Sequence, residues 1–166
     1  MKKKIVLGLD PGTKITGYGI VQKESSSFTL LNYGAMIIPA KLSLADKCYW
    51  IFHKIEYLLQ QYNPISVALE GQFVGHNVQA TLKIAMAKTS ALVACGKNKI
   101  PVVEYSPAAI KLAVTGNGRS NKIQVSHMVK FLLQCELSDA PHDVTDAIAI
   151  AICHLNRTCE RVGMGC

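Results

Sequence analysis

No apolar run in the 166 residues approaches the roughly 20 that a bilayer span requires. The opening Met-Lys-Lys-Lys-Ile-Val-Leu passes directly into an apolar stretch with no signal-peptide cleavage pattern, so the expected location is the cytoplasm. None of the six cysteines shows the C-x-x-C spacing of a zinc knuckle or a redox pair, and free thiols are expected. Cys48, Cys95 and Cys153 lie in apolar helical runs and read as core residues, while Cys159 and Cys166 fall in a tail. Internal repeats, linkers and low-complexity segments are absent as well. Acidic residues are scarce: 11 Asp and Glu stand against 18 Lys and Arg, a net charge of +7 that favours a polyanionic partner.

What is present is a globular composition, 49% hydrophobic and 17% charged, in a chain long enough for one domain with a real core. Residues 5–21, Ile-Val-Leu-Gly-Leu-Asp-Pro-Gly-Thr-Lys-Ile-Thr-Gly-Tyr-Gly-Ile-Val, are the stretch around which the rest is organised. An apolar run ends in Asp10, breaks at Pro-Gly and resumes as a glycine-interrupted β segment, which reads as a hairpin. Gly12, Gly17 and Gly19 leave room for a ligand or a second chain to come close. The bland reading of Asp-Pro-Gly is an ordinary turn.

A third strand is expected over 28–39 and an amphipathic helix over 43–62, with Leu44, Cys48, Ile51, Ile55, Leu58 and Leu59 as its apolar positions and Asn63-Pro64 as its end. Residues 65–70 form a second short apolar strand that exits in Glu70. A long helix over about 76–97, a strand over 101–105 and a helix from Pro107 follow. Beyond the glycine-rich loop 115–121, residues 122–134 read as a helix with Ile123, Val129, Phe131, Leu132 and Leu133 apolar and His127 packed. The Ala-Ile alternation after residue 146 fits a buried strand as well as a helix. Alanine content, Pro141 in a first turn and Ser138 or Asp139 as caps favour the helix over 141–155. This order gives an α/β sheet of five strands, three antiparallel ones first and then parallel ones, flanked by helices.

Asp143 and Asp146, three residues apart, project from one face near a helix N-terminus. Two carboxylates leading a buried helix are costly unless a cation compensates them. With Asp10 and Glu70 at strand exits, four acids from three core elements converge if those strands are neighbours. Oxygen donors without a Cys or His cluster select hard cations, Mg²⁺ or Mn²⁺, and a pair of them suits phosphodiester hydrolysis. With four acids in one site, 18 basic residues face seven acids elsewhere, which suits a phosphate backbone around an acidic centre.

The pieces Gly-Leu-Asp10-Pro-Gly-Thr-Lys-Ile-Thr-Gly-Tyr-Gly, Ala-Leu-Glu70-Gly-Gln-Phe73, Ala109-Ile-Lys111 to Gly116-Asn-Gly118 with Lys122, Gln-Val-Ser-His-Met-Val129 and Asp143-Val-Thr-Asp146-Ala-Ile-Ala-Ile together resemble the RuvC Holliday junction resolvases, members of the RNase H-like nuclease superfamily. The first and last pieces indicate only the superfamily; the middle ones identify the family. The resemblance implies an RNase H-like fold over residues 1–157, with 158–166 a short tail. It implies that Asp10, Glu70, Asp143 and Asp146 are catalytic acids holding two Mg²⁺, for which Mn²⁺ substitutes. It matches Phe73 to an aromatic that stacks on a base near the crossover, and Lys111 and Lys122 to lysines that approach the scissile phosphate. Arg119 is a weaker phosphate candidate. Some family members carry His where this chain has Asp143; Asp143 keeps the spacing to Asp146, and the adjacent His142 is an auxiliary ligand or proton shuttle in this reading. The implied partners are four-way junction DNA, a second copy of the chain and, from the family alone, a branch-migration helicase complex. The same acids also fit an RNase H-like nuclease acting on RNA or an RNA–DNA hybrid. An actin-like ATPase needs two lobes, and a non-catalytic DNA-binding module leaves the acids unexplained.

Overall fold

The protein, seen in a computed structural model that describes residues 3–71, 77–135, 137 and 141–160, is built on a single mixed sheet. Strands β1 (Lys4–Pro11) and β2 (Ile15–Glu24) form the expected hairpin, and β3 (Ser27–Ile37) pairs antiparallel with β2. Helix α1 (Leu44–Tyr62) leads to β4 (Ser66–Glu70), α2 (Val78–Lys97) to β5 (Val102–Tyr105), and α3 (Pro107–Thr115), α4 (Lys122–Leu133) and α5 (His142–Glu160) close the chain. The strand order is β3-β2-β1-β4-β5, with β4 parallel to β1 and β5 parallel to β4. The mixed five-stranded architecture read from the sequence is the one observed. No helix among the described residues is long and apolar enough to cross a membrane.

Alternation along the strands divides the side chains between two cores. Leu7 and Leu9 of β1, Ile20 of β2 and Val67 and Leu69 of β4 pack under α1 and α2. Val6, Val21 and Ala68 point the other way, into a core shared with α3, α4 and α5. The same period assigns Asp10, four residues after Val6, and Glu70, two after Ala68, to the α5 face. Chain parity therefore decides on which side of the sheet the strand-exit acids stand.

Helix α5 crosses that face at unusually short range because β1 and β2 offer glycines beneath it. A Cβ on Gly8 would run into the Ala147 carbonyl, one on Gly17 into the Asp143 carbonyl, and one on Gly19 into the Ile148 side chain. Gly12, Gly17 and Gly19 were expected to admit a ligand or a second chain; Gly17 and Gly19 admit the protein's own last helix, and Gly12 admits the Ile15 carbonyl of its own hairpin. Once seated, α5 is wrapped on all sides: Val144, Ala147, Ile148, Ala151, Ile152, Cys153 and Leu155 have no accessible surface. It runs on to Glu160, and its first N–H groups, those of Val144 and Thr145, bond the Pro141 carbonyl, so Pro141 precedes the helix rather than opening it. The proposed caps Ser138 and Asp139 lie outside the described residues.

Two helices turn differently from their expected faces. In α4 the buried stripe is Val125, Val129 and Leu133, spaced by four, while Ile123 and Phe131 are largely exposed and His127 faces solvent instead of packing. Helical spacing, rather than apolarity alone, selects the side that meets the core. Leu44, at the start of α1, is likewise exposed. Cys95 and Cys153 are buried, and burial pushes each thiol up to about 11, as suits inert core residues. Cys48 is only partly buried.

Candidate active site

Asp10 closes β1 and Glu70 closes β4. These strands are parallel neighbours, in register from Val6 with Ser66 to Leu9 with Leu69, so the two acids leave the sheet side by side one residue beyond the last pair. The partner of Asp10 across the hairpin is Gly17, and the Asp143 carbonyl lies directly over that glycine. One missing Cβ thus brings the head of α5 onto the end of β1. Asp146, one helical turn on, lines a cleft of about 240 Å³ together with Glu70, Lys111 and Lys122 above a floor of Ile110, Val125, Ala149 and Ile150.

The two strand acids feel the helix acids. Burial, then the charges of Asp146, Glu70 and Asp143, push the Asp10 carboxyl up to about 7, with Lys122 pulling weakly the other way. Burial first and Asp146 second also raise Glu70, against Lys122 and Lys111. The four nevertheless do not form a ready-made cage: among the described residues no three Asp, Glu, His or Cys side chains are grouped tightly enough to hold an ion. Like charges repel at short range, so a closer approach of the four calls for a cation between them. A divalent cation fits such a site, because the donors are all hard oxygens and a cation would stabilise the Asp10 carboxylate that burial and the neighbouring acids penalise.

That electrostatics has a measurable sign. An acid whose folded pKa lies above its unfolded value stabilises the fold at low pH and loses that contribution as pH rises. In the metal-free protein, Asp10 therefore favours folding least above about pH 7. Ion binding must also expel its proton, so Mn²⁺ affinity followed by calorimetry is expected to fall about tenfold from pH 8 to pH 6 and to level off above pH 8. An affinity flat across that range would contradict the assigned environment of Asp10.

The remaining predicted residues separate. Lys122 approaches Asp146, Nζ to Oδ2 3.4 Å, with 72% of its side chain exposed. Lys111 shares the cleft. Arg119 is exposed in the loop between α3 and α4, where its backbone N–H donates to Asn117 Oδ1 at 3.0 Å, and no contact of its side chain with the acids is seen among the described residues. His142 is exposed at the first position of α5, beside Asp143. Phe73 lies outside the described residues. Lys122→Ala removes a cation that faces both strand acids. A unit charge near 4 Å in a water-like medium is worth about 1 kcal/mol, so divalent affinity near pH 7 should change by roughly fivefold or less. A competition titration would read the change.

The sequence reading missed how the loop between the two lysines is tied together. Thr115 Oγ1 meets Ser120 Oγ at 2.7 Å and lies within hydrogen-bond distance of the backbone carbonyls of Lys111 and Asn117, one of which takes its proton while the Ser120 hydroxyl donates to it. Asn121 and Gln124 then form a reciprocal capping box at the start of α4. The N-x-x-Q spacing before an apolar run is a readable helix-start signal.

Comparison with known proteins gives a consistent picture. The family described as crossover junction endodeoxyribonuclease RuvC matches residues 6–154. A protein of that name from Protochlamydia amoebophila is 42% identical over 150 residues, covering 90% of this chain and 89% of its own length. Another, from Clostridioides difficile, is 37% identical over 164 residues, with 96% and 97% covered. Among solved structures, Thermus thermophilus RuvC in complex with a Holliday junction substrate superimposes with a TM-score of 0.89 at 28% identity over 96% of each chain.

Proposed function

Because the chain belongs to the RuvC family of crossover junction endodeoxyribonucleases, we propose that it resolves four-way DNA junctions by paired symmetric nicks, as a homodimer, using Asp10, Glu70, Asp143 and Asp146 as its catalytic acids. The observation that supports this reading is that the charges of Glu70, Asp143 and Asp146 all act on Asp10 at the end of β1, beside a cleft that Glu70 and Asp146 line with two lysines. A pure binding surface would gain nothing from acids at its centre, since they repel phosphate.

Nucleases of this family are metal-dependent. The four acids would hold two Mg²⁺, with Mn²⁺ able to replace them, and the ions when bound supply Lewis acidity and an activated water for in-line displacement at phosphorus. Hydrolysis joins the water oxygen to phosphorus and breaks the bond to the 3′ oxygen, leaving ends that ligase can seal. Lys111 and Lys122, on the cleft wall, attract and orient the backbone. Phe73 stacks on a base at the crossover, Arg119 reaches a flanking phosphate and His142 assists proton transfer; these three roles rest on the family resemblance. So does a branch-migration helicase as partner. The nuclease domain is assigned to residues 1–157, with 158–166 as its tail, and the site of action to the cytoplasm.

A four-way junction has approximate two-fold symmetry, which a C₂ dimer matches with two identical sites. Helix α2 is the proposed seam: Val78, Leu82 and Val93 are more than half exposed, and Met86 and Val93 border a 450 Å³ apolar groove with Tyr49 and Phe52 of α1. Cleavage of a four-way junction, a linear duplex and an RNA–DNA hybrid, compared side by side in Mg²⁺ and then Ca²⁺ for wild type and Asp143→Asn, tests the assignment. The junction should be cut in paired nicks by wild type with Mg²⁺ alone. Preference for the hybrid, activity without a divalent ion, or an active Asp143→Asn would refute it.

A further inference from the structure

The proposed chemistry leaves unused a polar side chain that α5 holds deep inside the fold. His154 is 4% exposed and spends both ring nitrogens on strands of the sheet: Nε2 is 2.7 Å from Ser66 Oγ and Nδ1 is 2.7 Å from Tyr105 OH. Its partners are placed with consequence. Ser66 is the first residue of β4, whose last residue is Glu70. Tyr105 is the register partner of Glu70 on β5, and its carbonyl accepts the N–H of Gly71, next in the chain after Glu70, at 2.7 Å.

We propose that His154 is a positioning residue of the nuclease site: a brace between α5 and β4 that fixes how far Glu70 stands from Asp146. The proposal rests on the reading of those two acids as ion ligands. The lengths agree with it. From Asp146 to His154 is eight helical residues, about 12 Å along α5. From Glu70 to Ser66 is four strand residues, about 13 Å along β4. Helix and strand thus form two nearly equal sides of a frame with an acid at each upper corner, and the imidazole to hydroxyl bond ties the lower corners. Tyr105 adds a diagonal, running from the imidazole up to the backbone that follows Glu70. Strand alternation puts Ser66, Ala68 and Glu70 all on the α5 side, so the tie and the acid share one face. A buried hydrogen-bonded pair of this kind has one good geometry and no water to relax into. An apolar residue at position 154 would fill the volume and leave the frame free to shear.

Tyr105→Phe keeps the ring and the Arg157 guanidinium 5.3 Å above it, and Ser66→Ala removes one oxygen, so each deletes half of the brace at small risk to folding. Each is expected to raise the Mn²⁺ concentration for half-saturation of the DNA-free protein about tenfold, the lower end of what outer-shell partners of metal ligands contribute. Each should also lower kcat for junction cleavage with KM unchanged. Leu59→Ala, in the opposite core, serves as a destabilising control whose Mn²⁺ saturation should match wild type. Wild-type Mn²⁺ binding in either hydroxyl variant, or an equal shift in Leu59→Ala, overturns the brace. Asp146→Asn separates the two claims: if it loses the ion while the hydroxyl variants keep it, the brace alone is wrong, and if it binds Mn²⁺ as wild type does, the ligand reading falls and the brace with it.

Discussion

Asp10→Asn should abolish junction cleavage while leaving the fold intact and the metal-free protein more stable above pH 7. The amide keeps the shape of the side chain but cannot ionise, so it removes the charge that burial and the other three acids already penalise. Loss of a ligand to catalytic ions forfeits several kcal/mol of transition-state stabilisation, or roughly a thousandfold in rate. Junction binding, which draws on the basic surface, should persist. Thermal unfolding in a chelating buffer at pH 8, run beside a nicking assay, reads both halves of the expectation. A variant that still cuts within tenfold of wild type, or that unfolds earlier than wild type without metal, would show that Asp10 is not a half-buried acid in a site built for cations.

The second large effect comes from a residue with no side chain. Gly17→Ala puts a methyl group where the Asp143 carbonyl sits. Alanine is no worse than glycine in a strand by intrinsic preference, and that term is worth at most about 1 kcal/mol. Overpacking against fixed backbone costs up to about 3 kcal/mol, so the clash decides the sign. The melting temperature should drop by roughly 6–12 °C for a domain of this size. Cleavage should fall further than stability does, because the helix end displaced by the methyl carries Asp143. Gly96→Ala, in α2 with nothing within 4 Å of the added carbon, should instead gain about 0.5–1 kcal/mol, and comparing the two melting curves isolates the effect of contact from that of glycine itself. Equal melting temperatures for the two variants would mean that α5 does not lie on the hairpin.

These two positions show what the amino-acid sequence makes legible. Asp10 and Glu70 stand at the ends of short apolar runs, and the period of two fixes their face once the neighbouring elements are known. Asp143 and Asp146 declare themselves by a three-residue spacing ahead of an apolar helix. The glycines of β1 and β2 are equally visible, yet their reason is not, because nothing local says which surface will arrive above them; α5 does so from the far end of the chain. The exposed Ile123 and Phe131 mislead for the opposite reason: apolar residues do not report their own burial, and only the four-residue spacing of Val125, Val129 and Leu133 separates the covered side of α4 from the open one. His154 gives no sequence signal of its role at all, since a histidine eight places beyond an aspartate becomes a tie only when β4 and β5 supply the hydroxyls.

The order of assembly follows from where α5 sits. The sheet of β1 to β5 is complete by Tyr105, but Asp143, Asp146 and part of the cover for the inner face reside on α5, far along the chain. The N-terminal hairpin and the C-terminal helix must therefore close on each other before Asp10 and Glu70 have Asp143 and Asp146 as neighbours, so whatever unseats α5 removes both helix acids together.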